Sequence, residues 1–406
     1  MPFLSTRALR GLQQYQYKSG GYTILDSWHQ PFWNGITNML PTSLAPNLIT
    51  LIGITGLIVA FLVTATMLPE LEGQGPAWVY LMNAAAVFAY MHLDCIDGKQ
   101  ARRTGSSSPL GQLFDHGCDA LSVHYLLACV ATSLNVGSGW QAVMGMVSIM
   151  GPWLLAHWEE YHTGLMTYGT STWGLTEANY LVITLHLWTA YFGTGFWASH
   201  PSQLIPHVWP YIPAALHSLG PAAQSLGPYL SWLDFQWNYV VLLAMGGCSI
   251  QLSSQQMWRV LVDGTAKLKP EEKGHKALGQ QAAVSHLAQL AAIMGLGVWW
   301  LLEPTHHGPA QAHVMGGAFG LLYALEATKL VMDHMAKEPF EIFWWPLWLL
   351  GALIFNSKLQ FINPAFAAWL AAAAAVAGYL QYVLSIIDQI CLFLDINCLT
   401  IKHKRI

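Results

Sequence analysis

The chain has 406 residues, of which 54% are hydrophobic and only 9% are charged, and its mean hydropathy is +0.38. Because soluble proteins carry about 25% charged residues, this composition excludes an ordinary water-soluble fold and indicates a protein whose solvent is the lipid bilayer. The net charge of -4 leaves no basic surface for nucleic acid.

The first 44 residues predict a cytosolic N-terminus followed by a helix that lies on the membrane surface. Within Thr23–Leu40, apolar residues recur at helical spacing between polar ones, which is typical of an interfacial amphipathic helix. An additional transmembrane span is the alternative, but it would bring several polar side chains into lipid. These side chains are Asp26, Gln30, Asn34 and Asn38.

Ten apolar windows follow, most of them near the roughly 20 residues that a helix needs to cross the hydrocarbon layer. They predict an all-α, polytopic membrane protein with spans near residues 45–67, 77–93, 110–133, 139–157, 178–197, 236–256, 279–301, 312–332, 342–357 and 364–386. With ten spans, all of the 17 Lys and Arg residues except Lys358 fall on one side. Because positive residues favour the cytosolic side, both termini are predicted to lie in the cytosol. The ninth window is the weakest, because it is short and follows Pro346.

Four carboxylates lie at the ends of the second and third windows, where acidic residues are costly and mark function. Asp94 and Asp97 are three residues apart, and Asp115 and Asp119 are four apart, so each pair shares one helix face. The short basic segment between the pairs predicts a tight hairpin that brings them together. Because clustered carboxylates repel each other, the sequence predicts two divalent ions between them, Mg²⁺ or Mn²⁺.

Small and basic residues beside these carboxylates indicate a phosphate-binding pocket. Gly98, Ala101 and Gly111 lack bulk at helical spacing, so an extended ligand can approach the backbone there. Arg102 offers a planar fork of donors for phosphate oxygens. The alternative is a structural ion-pair network, in which the neighbouring Lys and Arg residues neutralise the acids.

The order Asp-x2-Asp-Gly-x2-Ala-Arg-x8-Gly-x3-Asp-x3-Asp, from Asp94 to Asp119, resembles the signature of the CDP-alcohol phosphotransferase family at every fixed position. The segments QPFWNG, LAPNLITL, WEEYHTG and KLVMDHMAKEPF are similar to the eukaryotic choline/ethanolamine phosphotransferase branch. This resemblance extends over most of the chain but is patchy in the Pro-rich loop at 198–235. One departure, outside the signature, is Gln112, where Glu is expected.

The resemblance implies transfer of phosphocholine or phosphoethanolamine from CDP-choline or CDP-ethanolamine to diacylglycerol, with CMP as the second product. The implied metal ligands are Asp94, Asp97, Asp115 and Asp119. The implied CDP-alcohol pocket consists of Asn47, Asp94, Gly98, Ala101, Arg102 and Gly111. The implied partners are the CDP-alcohol, diacylglycerol, the lipid bilayer and a second copy of the chain in a homodimer.

The base that activates the diacylglycerol hydroxyl has two candidates. Family reasoning gives this role to Asp119. A carboxylate that holds a metal is a weak base, however, which favours His116, because an imidazole changes its protonation near neutral pH. His116 lies three residues before Asp119, and Glu177 at the start of the fifth span could orient its ring. A packing role for His116 and stabilisation of a helix N-terminus by Glu177 are the structural alternatives.

The order of the spans also predicts how the chain is divided. We expect an N-terminal segment at 1–44, the catalytic helices at 45–235, and an appended helical bundle with a cytosolic tail at 236–406. The HWEEYHTG segment is predicted to be a solvated cytosolic loop, with a second site formed by Glu159, Glu160 and His162 as the alternative. The Thr305-His-His-Gly sequence is predicted to be a turn on the opposite side.

The C-terminal sequence Lys402-His-Lys404-Arg-Ile406 resembles a dilysine retrieval signal. It predicts the endoplasmic reticulum membrane, with the Golgi as the alternative location and the active site towards the cytosol. A simple basic flank to the last span explains the same residues.

Several other functions remain as alternatives. Within the family, the acceptor could be inositol or glycerol phosphate. Membrane prenyltransferases also use aspartates with Mg²⁺, but their motifs lie in two separate helices. A cation transporter would bind ions at its acids without turnover, but the sequence contains neither inverted repeats nor broken helices.

Overall fold

The protein is described by a computed structural model that covers residues 3–15, 21–166, 169, 172–200, 235–263, 279–303 and 311–402. Within these ranges it contains α-helices and no β-strand, as the sequence predicted. The N-terminal half contains α1 (Thr6–Gln13), α2 (Ile24–Met39), α3 (Pro46–Met67), α4 (Ala77–Thr104), α5 (Pro109–Ser133), α6 (Trp140–Thr163) and α7 (Leu175–Phe192). The C-terminal half contains α8 (Trp237–Trp258), α9 (Gly279–Leu301), α10 (Gln311–Ala336), α11 (Trp344–Leu359) and α12 (Pro364–Leu394).

Each of the ten predicted windows falls on a helix. Among the described helices, α3, α4, α9, α10 and α12 are long and apolar enough to cross a membrane. The other windows correspond to α5 to α8 and to α11, which has only 16 residues, so the count of ten spans stays a prediction. Large apolar side chains such as Trp348, Leu384 and Leu392 are exposed on the outer helices, as expected where lipid is the solvent.

Helix α2 is the amphipathic helix predicted from the sequence. It begins with a capping box, in which Thr23 and Asp26 each accept a hydrogen bond from the other's backbone N–H. Trp33 is buried on the inner face and donates from Nε1 to His92 of α4 at 2.8 Å. Trp28 is exposed on the outer face. This two-sided character fits a helix on the membrane surface, although its position in the interface stays a prediction.

The turn between α4 and α5 is the tight hairpin predicted from the sequence. Helix α4 ends at Gly105, whose φ of 63° lies in the left-handed region that glycine adopts without strain. Ser108 caps α5 by accepting a hydrogen bond from the Gly111 N–H at 3.1 Å, and Pro109 occupies the first helical position. The hairpin therefore follows from local sequence.

The largest apolar core joins the two halves of the chain. Buried residues of α5 and α6, such as Leu113 and Trp158, belong to the same cluster as Phe319 and Tyr323 of α10. Helix α10 packs against α5, α6 and α12, and the short helix α1, which the sequence analysis did not anticipate, packs against α10 and α12. The predicted C-terminal bundle thus shares a core with α5 and α6, while its division from the rest at residue 235 stays a prediction.

Some predicted features fall outside the described residues. These are most of the Pro-rich loop (201–234), the Thr305-His-His-Gly turn and the end of the proposed retrieval signal (403–406).

A cavity of about 250 Å³ lies between α5, α6, α9 and α10. Its lining includes His124, Trp140, Glu303 and His313. The cavity approaches the C-terminal part of α5, whereas the aspartates of α5 lie near the N-terminus of that helix. The cavity is therefore separate from the carboxylate site.

The close approach of α10 to α5 can be tested at Gly320. A Cβ atom at this position would lie 2.2 Å from Cγ and 2.7 Å from Cβ of His124, so a helix must move to accept it. We expect Gly320→Ala to destabilise the protein by about 1–3 kcal/mol and to lower the midpoint of thermal unfolding in detergent. Gly317→Ala on the same helix meets no atom within 4 Å and is the matched control. Equal midpoints for the two variants would contradict this packing.

Candidate active site

The four aspartates of the signature lie on both sides of the α4–α5 hairpin. Asp94 and Asp97 occupy the last turns of α4, and Asp115 and Asp119 occupy the first turns of α5. One carboxylate oxygen from each of Asp94, Asp97 and Asp115 lies within 4.8 Å of the others. The structure thus brings the two pairs together, although Asp119 lies outside the tightest group.

Two hydroxyl groups fix the orientation of these carboxylates. Tyr90, one turn before Asp94 on α4, donates its hydroxyl hydrogen to Asp119 Oδ1 at 2.6 Å. Thr50 of α3 donates to Asp97 Oδ2. Neither hydroxyl was anticipated from the sequence, because each contact joins residues from different helices.

The carboxylate group fits a divalent cation. The Oδ1 atoms of Asp94 and Asp115 are buried and have no hydrogen-bond partner within the described residues. A buried carboxylate oxygen without a donor is costly, and several such groups side by side also repel each other. Oxygen ligands of this kind are the ones that Mg²⁺ and Mn²⁺ prefer.

Two of the three basic residues of the alternative ion-pair network, Lys99 and Arg103, bind α2 and not the aspartates. Lys99 Nζ donates to Gln30 and Asn34 of α2 at 2.6 and 2.8 Å. Arg103 donates to backbone carbonyls at the end of α2, including that of Thr37 at 2.8 Å. These two cations therefore anchor α2 to α4.

The small residues of the predicted CDP-alcohol pocket lie next to its polar residues. A Cβ atom at Gly98 would lie 3.5 Å from Nη1 of Arg102, and a Cβ atom at Gly111 would lie 3.5 Å from Oδ1 of Asn47. Asn47 is buried in the first turn of α3, where its Nδ2 donates to Cys398 Sγ at 3.8 Å. Arg102 is exposed and Ala101 is half-buried. Their roles in ligand binding stay predictions.

His116 faces a histidine and a glutamate of α6. One ring nitrogen of His116, one of His157 and one carboxylate oxygen of Glu160 all lie within 4.8 Å of one another. The rings of His116 and His157 have centroids 5.1 Å apart. All three side chains are buried, so the carboxylate beside His116 belongs to Glu160.

Glu177 caps the N-terminus of α7, and its predicted role towards His116 stays a prediction. Its Oε2 atom accepts a hydrogen bond from the Gly174 N–H at 2.9 Å and closes the N-terminus of α7. This is the helix-capping alternative considered in the sequence analysis. The carboxylate that lies beside His116 belongs to Glu160.

The prediction of a solvated loop at HWEEYHTG was wrong. Helix α6 continues to Thr163, and Glu159, Glu160 and His162 are buried. Glu159 is paired with Arg259, whose Nη2 donates to Glu159 Oε2 at 2.8 Å. The density of His and Glu was a signal for a buried polar cluster, but local sequence does not show which helices cover it.

Comparison with known proteins identifies a family match and several relatives. Residues 43–205 match the family model described as CDP-alcohol phosphatidyltransferase. A Dictyostelium discoideum protein named uncharacterized CDP-alcohol phosphatidyltransferase class-I family protein 3 is 29% identical, over 99% of each chain.

Two relatives carry more specific names. The Gallus gallus protein named cholinephosphotransferase 1 is 39% identical over 48% of this chain and 58% of its own length. The Arabidopsis thaliana protein named choline/ethanolaminephosphotransferase 1 is 26% identical over 100% of both chains. The family match covers the α4–α5 hairpin with all four aspartates, so residues 43–205 contain a CDP-alcohol phosphotransferase domain, and the names of the relatives indicate an enzyme.

Proposed function

We propose that this enzyme transfers phosphocholine and phosphoethanolamine from CDP-choline and CDP-ethanolamine to diacylglycerol and releases CMP. The names of full-length relatives support this choice of substrates. The carboxylate cluster on the α4–α5 hairpin is the observation that carries the proposal. Transfer of a phosphoryl group between two oxygens requires positive charge beside both of them. The carboxylate oxygens of the cluster would bind the cations that supply this charge.

Two Mg²⁺ or Mn²⁺ ions would be held by Asp94, Asp97, Asp115 and Asp119. When bound, the ions would neutralise charge on the donor pyrophosphate during in-line transfer. The side chains of the protein hold the geometry: the Thr50 hydroxyl orients Asp97, and the Tyr90 hydroxyl orients Asp119.

The CDP part of the donor would lie along the hairpin. Gly98 and Gly111 leave the helix surfaces open, Arg102 would bind phosphate oxygens, and Asn47 would contact the nucleotide. Gly98 adjoins Arg102 on α4, and Gly111 of α5 adjoins Asn47 of α3. Ala101 lies between the two glycines in sequence, and its small side chain would not obstruct the ligand.

His116 is the proposed base for the diacylglycerol hydroxyl, and Glu160 takes the orienting role that the sequence analysis gave to Glu177. The Glu160 carboxylate is buried beside His116 and would stabilise the imidazolium that forms when the ring accepts a proton. Asp119 is the alternative base, but it already accepts a hydrogen bond from Tyr90 and would be occupied by metal.

The proposed location is the endoplasmic reticulum membrane, with the hairpin towards the cytosol. It rests on the distribution of Lys and Arg and on the C-terminal lysines, as in the sequence analysis. The comparisons give the expected homodimer no support, so the proposal concerns a single chain.

The substrate assignment predicts CMP release by the purified protein. In nanodiscs that contain diacylglycerol and excess Mg²⁺, we expect CMP and the matching phospholipid to form from either donor. Competition between CDP-choline and CDP-ethanolamine then measures the headgroup preference. A prenyltransferase or a cation transporter would release no CMP. Product formation only when inositol or glycerol phosphate replaces diacylglycerol would identify a different acceptor.

The metal assignment predicts that Asp97→Ala abolishes most of the turnover, because it removes one ligand of the carboxylate cluster. We expect kcat to fall about a hundredfold or more and the required Mg²⁺ concentration to rise. Asp388→Ala, which removes an exposed carboxylate of α12, is the control and should behave as the parent protein. Full turnover in Asp97→Ala would refute the assignment.

The base assignment predicts a difference between two glutamates. Glu160→Gln removes the charge beside His116 and should lower kcat at least tenfold, and His116→Ala should lower it about a hundredfold or more. Glu177→Gln should retain the parent rate, because an amide oxygen can still cap α7. If His116→Ala has a normal rate while Asp119→Asn binds metal and is inactive, then Asp119 is the base.

A further inference from the structure

A second group of metal-ligating side chains lies beside the carboxylate cluster. His116 comes from α5, and His157 and Glu160 are three residues apart on one face of α6. One ligand atom from each lies within 4.8 Å of the others. His334, at the end of α10, approaches the same carboxylate from another direction, with Nε2 3.6 Å from Glu160 Oε1. Helices α5, α6 and α10 therefore supply three imidazoles around one carboxylate.

The spacing of these atoms suits a metal ion better than direct hydrogen bonds. His157 Nδ1 lies 3.5 Å from Glu160 Oε2, which is long for a hydrogen bond to a carboxylate. In a tetrahedral zinc site with ligand distances of about 2.0–2.1 Å, neighbouring ligand atoms are about 3.3 Å apart. The contacts of Glu160 with His157 and His334 are both close to this value.

The imidazole of His157 is an independent indication of a ligand. Its side chain is only 1% exposed, and neither ring nitrogen makes a hydrogen bond to a described residue. The ring edge packs against Trp153, with centroids 4.2 Å apart, so the ring is held in place. A rigid, buried imidazole without a hydrogen bond is costly, and a metal ion would use the nitrogen that points to Glu160.

The two clusters differ in the ions they select. Carboxylate oxygens on the hairpin suit Mg²⁺ and Mn²⁺, whereas two or three imidazoles with one carboxylate suit Zn²⁺ and similar transition metals. His157 lies close enough to Asp119 for the two side chains to interact electrostatically, so the clusters are neighbours. An ion at one cluster therefore lies next to the reaction at the other.

We propose that His116, His157 and Glu160, with His334 as a fourth ligand, form an inhibitory site for a transition-metal ion such as Zn²⁺. The inhibitory effect rests on the proposed function, because the ion would coordinate His116 and remove it from its role as the base. Binding involves only ligand exchange: the ion loses water, each ligand donates a lone pair, and any proton on a ligand is released to solvent.

The test uses purified protein in nanodiscs with excess Mg²⁺, so that the carboxylate cluster is saturated, and Cys248→Ser as the background, because that thiol is exposed. Zn²⁺ binding is measured by calorimetry, and its ligands by X-ray absorption. We expect one Zn²⁺ per chain with nitrogen and oxygen neighbours at about 2.0–2.1 Å. CMP release should fall as Zn²⁺ is added and recover when a chelator removes it.

His157→Phe preserves a buried ring but removes a ligand. We expect this variant to require at least tenfold more Zn²⁺ than the parent protein for binding and for half-maximal inhibition of its own turnover. His334→Gln is the second variant, with a smaller shift in the same direction, and His124→Phe, a buried histidine of α5 outside the cluster, is the control with unchanged Zn²⁺ affinity.

Two outcomes would overturn the site: no Zn²⁺ binding in the presence of Mg²⁺, or equal affinity in the parent, His157→Phe and His334→Gln proteins. Binding without inhibition would overturn the inhibitory role. Absence of CMP release under every condition would instead refute the proposed function, and the Zn²⁺ binding measurement would still decide whether the metal site exists.

Discussion

Asp94, Asp97 and Asp115 hold carboxylate oxygens within 4.8 Å of each other, and their repulsion is the constraint that the surrounding helices must balance. At an effective dielectric constant of about 20, two unit charges at this distance repel by roughly 3–4 kcal/mol. Three such pairs approach the whole stability of an ordinary domain, which is about 5–15 kcal/mol. A bound cation would remove this cost. The repulsion between the carboxylates therefore also favours binding of the cation.

The rest of the structure keeps these carboxylates from moving apart. The Gly105 cap and the Ser108 cap fix the hairpin locally. Lys99 and Arg103, which could have neutralised the acids, bind α2 instead. Lys99 and Arg103 of α4 thereby attach α2, and neither of them covers the carboxylate cluster.

A second polar cluster adjoins the first and surrounds His116. Its ring lies with His157 and Glu160 inside the contact between α5 and α6. The same arrangement that would hold a base in position also has the geometry of a transition-metal site. Both proposed uses would require an imidazole nitrogen that faces the Glu160 carboxylate, so a metal ion and a proton would compete for that nitrogen.

The sequence predicted the features that depend on local chain geometry. Helices followed from apolar windows, the hairpin from its cap residues, and the carboxylate cluster from aspartates three and four residues apart. The order of those aspartates also predicted the family, which the comparisons bear out. In each case the signal lies within one turn of helix or within one short motif.

Only the tertiary structure decided which residues from distant parts of the chain meet. It placed Glu160 beside His116 and gave Glu177 to a helix cap. It buried the HWEEYHTG segment that polarity alone assigned to solvent, because α6 extends to Thr163 beneath other helices. Residue type and spacing along one helix cannot specify these contacts, since they depend on how separate helices pack against each other.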